Sequence, residues 1–207
     1  MQSPSNSPKA TGRTRDLVIA ADQAIYFLSR HWLFFANLVV AIFAGLPLLA
    51  PFLMSKGLEL PAQIIYVAYR VQCHQKPERS FFPFGYQMAY CQRDTATYAV
   101  VLLAGIAYAF LRPKVKPLRL WAAILMVVPM AIDGTGQLLG LWTSTWWSRV
   151  VTGGLFGLAL VWLVYPYIEQ GLGEARASIE AKFKAAGIPL SAFTRNRQIG
   201  QNQADDV

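Results

Sequence analysis

A chain of 207 residues with 14% charged and 55% hydrophobic residues falls well short of the roughly 25% charge of soluble globular domains. That deficit excludes an ordinary soluble fold and points to a membrane protein of one domain. The net charge of +8 does not argue for nucleic acid, because the bases form no single stripe between aromatics; bases beside apolar runs hold spans in the bilayer.

Met1 to Arg15 is rich in Ser, Pro, Thr, Lys and Arg and reads as a disordered basic tail. It lacks the apolar core and small-residue site of a cleaved signal. Asp16 to Arg30 reads as a short interfacial helix, with Leu17, Ile19, Ala20, Ala24, Phe27 and Leu28 partly on one face. Residues 1–30 therefore form an entry segment. Trp32 to Met54 contains no charged residue and is long enough to cross a hydrocarbon core of roughly 30 Å. Pro47 and Pro51 should kink its second half.

Residues 55–94 are polar and read as a cap outside the bilayer. Within it, Pro61 to Gln72 looks helical, with Ile64, Ile65, Ala68 and Val71 as its apolar stripe. Three further spans follow at about 95–111, 120–142 and 150–168. A basic turn from Arg112 to Arg119 joins the second and third. Trp142, Trp146 and Trp147 suit an interfacial belt, and Gly153 and Gly157 suit close helix packing. Residues 169–207 read as a mixed-charge helix, with Glu180 four before Lys184, and then a polar tail. The fold class expected is all-α: an integral membrane four-helix bundle with a loop and short-helix cap on one side and a C-terminal helix on the other.

Four spans place both termini on one side. That side holds 13 of the 19 Lys and Arg, including Arg112, Lys114, Lys116 and Arg119 in the turn. The positive-inside rule then puts both termini in the cytoplasm of a multi-pass cell-membrane protein and the cap outside.

The chemistry-bearing residues concentrate in Cys73 to Asp94. Cys73 and Cys91 are the two cysteines of the chain. On an oxidising side they can form a disulfide, closing a loop of about 18 residues and stabilising by roughly 3 kcal/mol in the chain-entropy model. Cys73, His74, Cys91 and Asp94 are alternatively a set of S, N and O donors for a divalent metal such as zinc, and a third reading leaves the two thiols free. Gln75 and Ser80 flank these donors. Lys76, Arg79 and Arg93, with Ser80, can bind an anion such as a lipid headgroup, or else pair with Glu78, Asp94 or Asp133. Asp133 lies in the third span, where an ionisable residue needs a partner or a function. Gln137 shares its face, and Arg149 or Arg93 can reach it.

These residues resemble a known family. Cys73-His74-Gln75-x-Pro77-x-Arg79-Ser80-Phe81, Gly85, Cys91-x-Arg93 and Tyr98 are similar to a first block of the DUF2085 membrane proteins. Asp133-Gly134-x-x-Gln137, Ser144, Arg149, Thr152 and Gly153 are similar to a second. The resemblance covers about Gln72 to Gly157. It implies a small polytopic membrane protein without an assigned activity. In many members the cysteine block reads Cys-x-Arg-Cys, whereas this chain has Asp94 at the last position.

Three function classes fit. One is a non-enzymatic membrane protein with a structured polar cap, such as a small subunit of a membrane complex. Another is a metal- or anion-binding or transport protein. The third is an enzyme on a lipid phosphate, with His74 as acid or base oriented by Asp133. The bilayer is the expected partner; an anionic headgroup, another membrane protein or a second copy are candidates, and nucleic acid is not.

Overall fold

Helix α1 runs without interruption from Arg13 to Ser55, so the segments read as an interfacial helix and a first span are one helix. In the computed structural model, which describes residues 12–112 and 114–187, four more α-helices follow. They are α2 (Glu59–Tyr69), α3 (Gln92–Leu111), α4 (Leu120–Leu138) and α5 (Trp146–Ala185). Single 3-10 turns lie at Pro77–Arg79 and Pro83–Gly85. Among the described residues the β-geometry found is one isolated bridge, Ser80 to Cys91. Helices α1, α3, α4 and α5 are long and apolar enough to cross a membrane. With 20 and 19 residues, α3 and α4 span about 30 Å each at 1.5 Å per residue. The expected tails fall on residues 1–11 and 188–207, outside the described residues, except that Arg13 to Arg15 are helical.

The third span ends four residues earlier than the apolar pattern suggested. Gly140 adopts φ +72°, Leu141 N–H bonds Gly136 O at 2.9 Å and Gly140 N–H bonds Gln137 O at 3.3 Å. This is the paired closure of a glycine-terminated helix. The Trp142 ring then folds back onto Gly136, where any side chain would collide with it.

Contacts divide the chain into two units: Met1–Trp32 with Gln170–Val207, and Leu33–Glu169. In the first, Ile179 and Phe183 are buried. Tyr26 Oη donates to Glu180 Oε1 at 2.9 Å, so Glu180 has this partner in addition to any expected pairing with Lys184. Arg176 donates to Ser29 O at 2.6 Å.

The second unit contains the spans and the cap. Its cap-side core is Ala50, Tyr69, Cys73, Ala89 and Tyr90, with Leu46, Ile65, Tyr66 and Tyr98 packed around it. The apolar face of α2 is not the stripe read from sequence. Ala62, Ile65, Tyr66 and Tyr69 point inward, whereas Ile64, Ala68 and Val71 are exposed, Val71 at 95%. The tyrosines win that face because each buries a large ring and still finds a hydroxyl partner. Helix α2 also ends at Tyr69, before Val71 can share its periodicity.

The prolines inside the spans explain how the cap and the basic turn are docked. A proline in a helix leaves the carbonyl four residues earlier without its donor, and in a membrane that carbonyl must be satisfied from elsewhere. Pro47 frees Phe43 O, and Tyr69 Oη on α2 donates to it at 3.3 Å. Pro51 frees Pro47 O, and Ala89 N–H of the cap bonds it at 3.3 Å. Pro166 frees Trp162 O in α5, and Leu118 N–H of the α3–α4 turn bonds it at 3.4 Å. Pro47, Pro51 and Pro166 thus mark attachment points for the cap and the α3–α4 turn.

Helices α3 and α5 meet where α5 has no side chains. A Cβ on Gly153 would lie 2.5 Å from Arg93 O, and one on Gly157 would lie 2.6 Å from Thr97 O. Thr97 Oγ1 donates to Gly153 O at 3.1 Å across the contact. The small-residue pair read from sequence therefore does pack backbone against backbone.

Candidate functional site

Cys91 sets the geometry of the cap by acting as the N-cap of α3, with extended φ/ψ of −74° and 164°. Its sulfur accepts Asp94 N–H at 3.5 Å, the bond a Ser or Asp cap normally makes. Its thiol donates to Asp94 Oδ2 at 3.2 Å. The carboxylate in the first turn complements the positive end of the helix. An isolated antiparallel bridge joins Cys91 to Ser80 of the cap loop, and Cys91 N–H donates to Cys73 Sγ at 3.2 Å.

Donor atoms of Cys73, Cys91 and Asp94 consequently lie within 4.8 Å of one another. Both cysteines are free; Cys73 is buried and Cys91 half-buried. Hydrogen bonding from Cys91 holds the Cys73 thiol below the ordinary thiol range. The same bond, with burial, pushes the Cys91 thiol up. The two cysteines open onto a cavity of about 240 Å³ that His74, Arg79 and Arg93 also line. His74 faces this cavity and also a neighbouring one of about 580 Å³, outside the three-donor cluster.

Arg93 and Asp133 form an ion pair between α3 and α4, with side chains 15% and 14% exposed. Ser148 Oγ adds a hydrogen bond to Asp133 Oδ1 at 3.2 Å. The guanidinium lies against Gly134, where a Cβ would be 3.1 Å from Nη1, so the glycine beside Asp133 makes room for the pair. Arg93 Nε is buried without a partner.

Arg149 is 4% exposed and its hydrogen-bond partners are neutral acceptors. It donates to Gln92 Oε1 at 3.0 Å and to Glu78 O at 3.4 Å. Gln137, with its amide oriented by these neighbours, accepts from Arg149 Nη2 at 3.0 Å and from Ser144 N–H at 3.2 Å. Gln92 also donates to Ser80 O at 3.2 Å, so Arg149 ties α5 to α4, to α3 and to the cap loop at once.

The eleven candidate residues therefore separate by task. Cys73, Cys91 and Asp94 converge with His74 and Arg79 at one cavity. Asp133 is taken by Arg93, and Gln137 by Arg149. Gln75 and Ser80 build the loop. Gln75 sits at φ +50°, donates to Tyr66 O at 2.8 Å and accepts from Gln87 at 2.6 Å. Ser80 Oγ donates to Lys76 O at 3.0 Å and accepts from Gln87 at 3.1 Å. Three residues absent from the sequence reading matter here. They are Gln92, the buried acceptor for Arg149; Ser148, the second partner of Asp133; and Tyr90, 1% exposed. Tyr90 stacks on Tyr98 with centroids 5.1 Å apart and donates to Gln72 Oε1 at 2.8 Å. The available signal was position: Gln92 lies between Cys91 and Arg93, and Ser148 is beside Arg149.

Residues 73–163 match the model of a family described as "Predicted membrane protein (DUF2085)". An uncharacterized protein of Methanocaldococcus jannaschii is 40% identical over 105 residues, covering 49% of this chain and 67% of its own length. An uncharacterized protein of Methanothermobacter thermautotrophicus is 36% identical over 98 residues, covering 47% of this chain and 87% of its own. No solved structure matches. The matched stretch contains the cap motif, Asp133, Gln137 and Arg149.

Proposed function

The chain belongs to the DUF2085 family of predicted membrane proteins, and on that footing we propose that it is a membrane-embedded metal-binding protein with Cys73, Cys91 and Asp94 as ligands. One observation carries this reading: the Cys73 sulfur comes within 4.8 Å of the sulfur and carboxylate that Cys91 and Asp94 present at the first turn of α3. Tetrahedral zinc with bonds of about 2.3 Å to sulfur needs sulfurs roughly 3.7 Å apart, so a closure of at most about one ångström would complete the site. Three protein ligands leave a fourth position open. His74 lines the same cavity and would serve as a further donor, with Arg79 to favour an anion there. Asp94, where many relatives carry a third cysteine, supplies an oxygen donor in its place.

The charge distribution supports a topology with both termini in the cytoplasm and this site on the outer face. An enzymatic reading draws less support, because Asp133, its candidate for orienting His74, is engaged by Arg93 and Ser148. The proximity that favours a metal also favours a Cys73–Cys91 disulfide, and one experiment separates them. Protein purified in detergent without a thiol reagent is analysed for metal, and a second portion of the same lysate, blocked at lysis, is analysed for cysteine state. Metal near one equivalent, lost in Cys73→Ser, supports the proposal; a disulfide-linked pair without metal refutes it.

A further inference from the structure

We infer that the opposite end of α3 carries a binding site for an anionic phospholipid, independent of the cysteine site. The observation is a groove of about 630 Å³ between α3 and α5, roofed by the α3–α4 turn. Its floor is apolar: Ala104, Ala107 and Leu111 of α3, and Leu158, Val161 and Trp162 of α5. Its rim is basic, formed by Lys114, Lys116 and Arg119. Arg112, the fourth base of the turn, is held by Glu169 at 3.3 Å. Among the described residues no carboxylate pairs with the other three.

The groove is preformed. Trp162 Nε1 donates to Lys116 O at 3.2 Å, and Leu118 N–H occupies the Trp162 carbonyl that Pro166 leaves free. These two bonds hold the basic rim over the apolar floor. The surroundings select the occupant. Phe110, Leu120 and Trp121 beside the groove are 82%, 66% and 59% exposed, which fits hydrocarbon and its interface. An acyl chain matches the floor, and a headgroup phosphate matches three uncompensated cations at the same level. Small side chains at Ala104 and Ala107 make the space for that chain.

The test is native mass spectrometry of the full chain in detergent, titrated with phosphatidylglycerol and, separately, with phosphatidylcholine. Retention of phosphatidylglycerol over phosphatidylcholine is expected. Lys114→Gln, Lys116→Gln and Arg119→Gln should each weaken it about fivefold. Ala107→Phe, which fills the groove and leaves every charge in place, should weaken it about tenfold, the change expected when a buried segment of acyl chain is displaced. Arg70→Gln, an exposed base of the cap, should change nothing. Equal retention of the two lipids overturns the inference. So does an unchanged titration for Ala107→Phe, because bases attracting bulk anionic lipid would not sense the groove.

Discussion

Replacing Asp133 by Asn tests the pairing that joins α3 to α4. The side chains of Arg93 and Asp133 are 15% and 14% exposed, so solvent screens them little. Arg93 already has an unpartnered Nε, and its head lies on Gly134. Removing the carboxylate charge leaves a buried cation that the packing does not let swing to water. Breaking a buried pair from one side costs about 3–5 kcal/mol. Asn retains an acceptor for Ser148 or for one guanidinium N–H, which places the expected loss near the lower figure, about 3 kcal/mol. Arg93→Met should cost a similar amount. The double variant Arg93→Met with Asp133→Leu should return to within about 1 kcal/mol of the parent, since an apolar pair of similar volume substitutes well for a buried ion pair. The assay is reversible unfolding in mixed micelles, read as a double-mutant cycle closed by the single variant Asp133→Leu, with a coupling of at least about 2 kcal/mol. Additive single effects, or an Asp133→Asn loss under about 0.5 kcal/mol, would refute the reasoning by showing that the pair behaves as an exposed one.

Arg149→Lys should lower stability by about 2 kcal/mol in the same assay, because an ammonium cannot satisfy Gln92, Gln137 and Glu78 O together; a parent-like melt would contradict that. Gly153→Ala and Gly157→Ala should each cost about 1–3 kcal/mol through collision with the α3 backbone. Gly154→Ala, whose Cβ would meet only Val100 at 3.5 Å, should stay within about 0.5 kcal/mol; equal effects at all three would remove the packing argument. Tyr69→Phe should cost about 1 kcal/mol by stranding Phe43 O. In a Pro47→Ala background, where the helix supplies its own donor, that cost should largely vanish, and an unchanged cost would sink the proline account.

The spans were legible because uncharged runs of this length have few other uses. Three features were harder to read. The continuity of α1 and α5 was hidden because the segments 16–30 and 169–185 carry charge and match interfacial helices in composition. The buried face of α2 was misjudged because periodicity weighted Ile64, Ala68 and Val71 by hydropathy, whereas burial went to Tyr66 and Tyr69, which gain a hydroxyl bond as well as ring contact. Pro47 and Pro51 read as kinks, and Pro166 drew no reading. Their partners Tyr69, Ala89 and Leu118 lie 26, 42 and 44 residues from the freed carbonyls, a separation that local pattern does not encode. Within the polar groups, the Arg93–Asp133 pairing was one of two alternatives the spacing allowed. Assigning Arg149 to Gln137 and Gln92 needed the fold, since neutral acceptors around a buried guanidinium leave no charge signature.

The most direct measurement is metal content and cysteine state on one lysate of the full chain, divided so that one half is purified in detergent without a thiol reagent for metal analysis and zinc uptake, and the other is thiol-blocked at lysis for cysteine state alone. The account predicts a thiophilic divalent ion near one equivalent, two unlinked cysteines once it is chelated, and loss of the ion in Cys73→Ser, Cys91→Ser and Asp94→Ala but not in Arg70→Gln. A Cys73–Cys91 disulfide, or free thiols that take up no zinc from a micromolar solution, would contradict it.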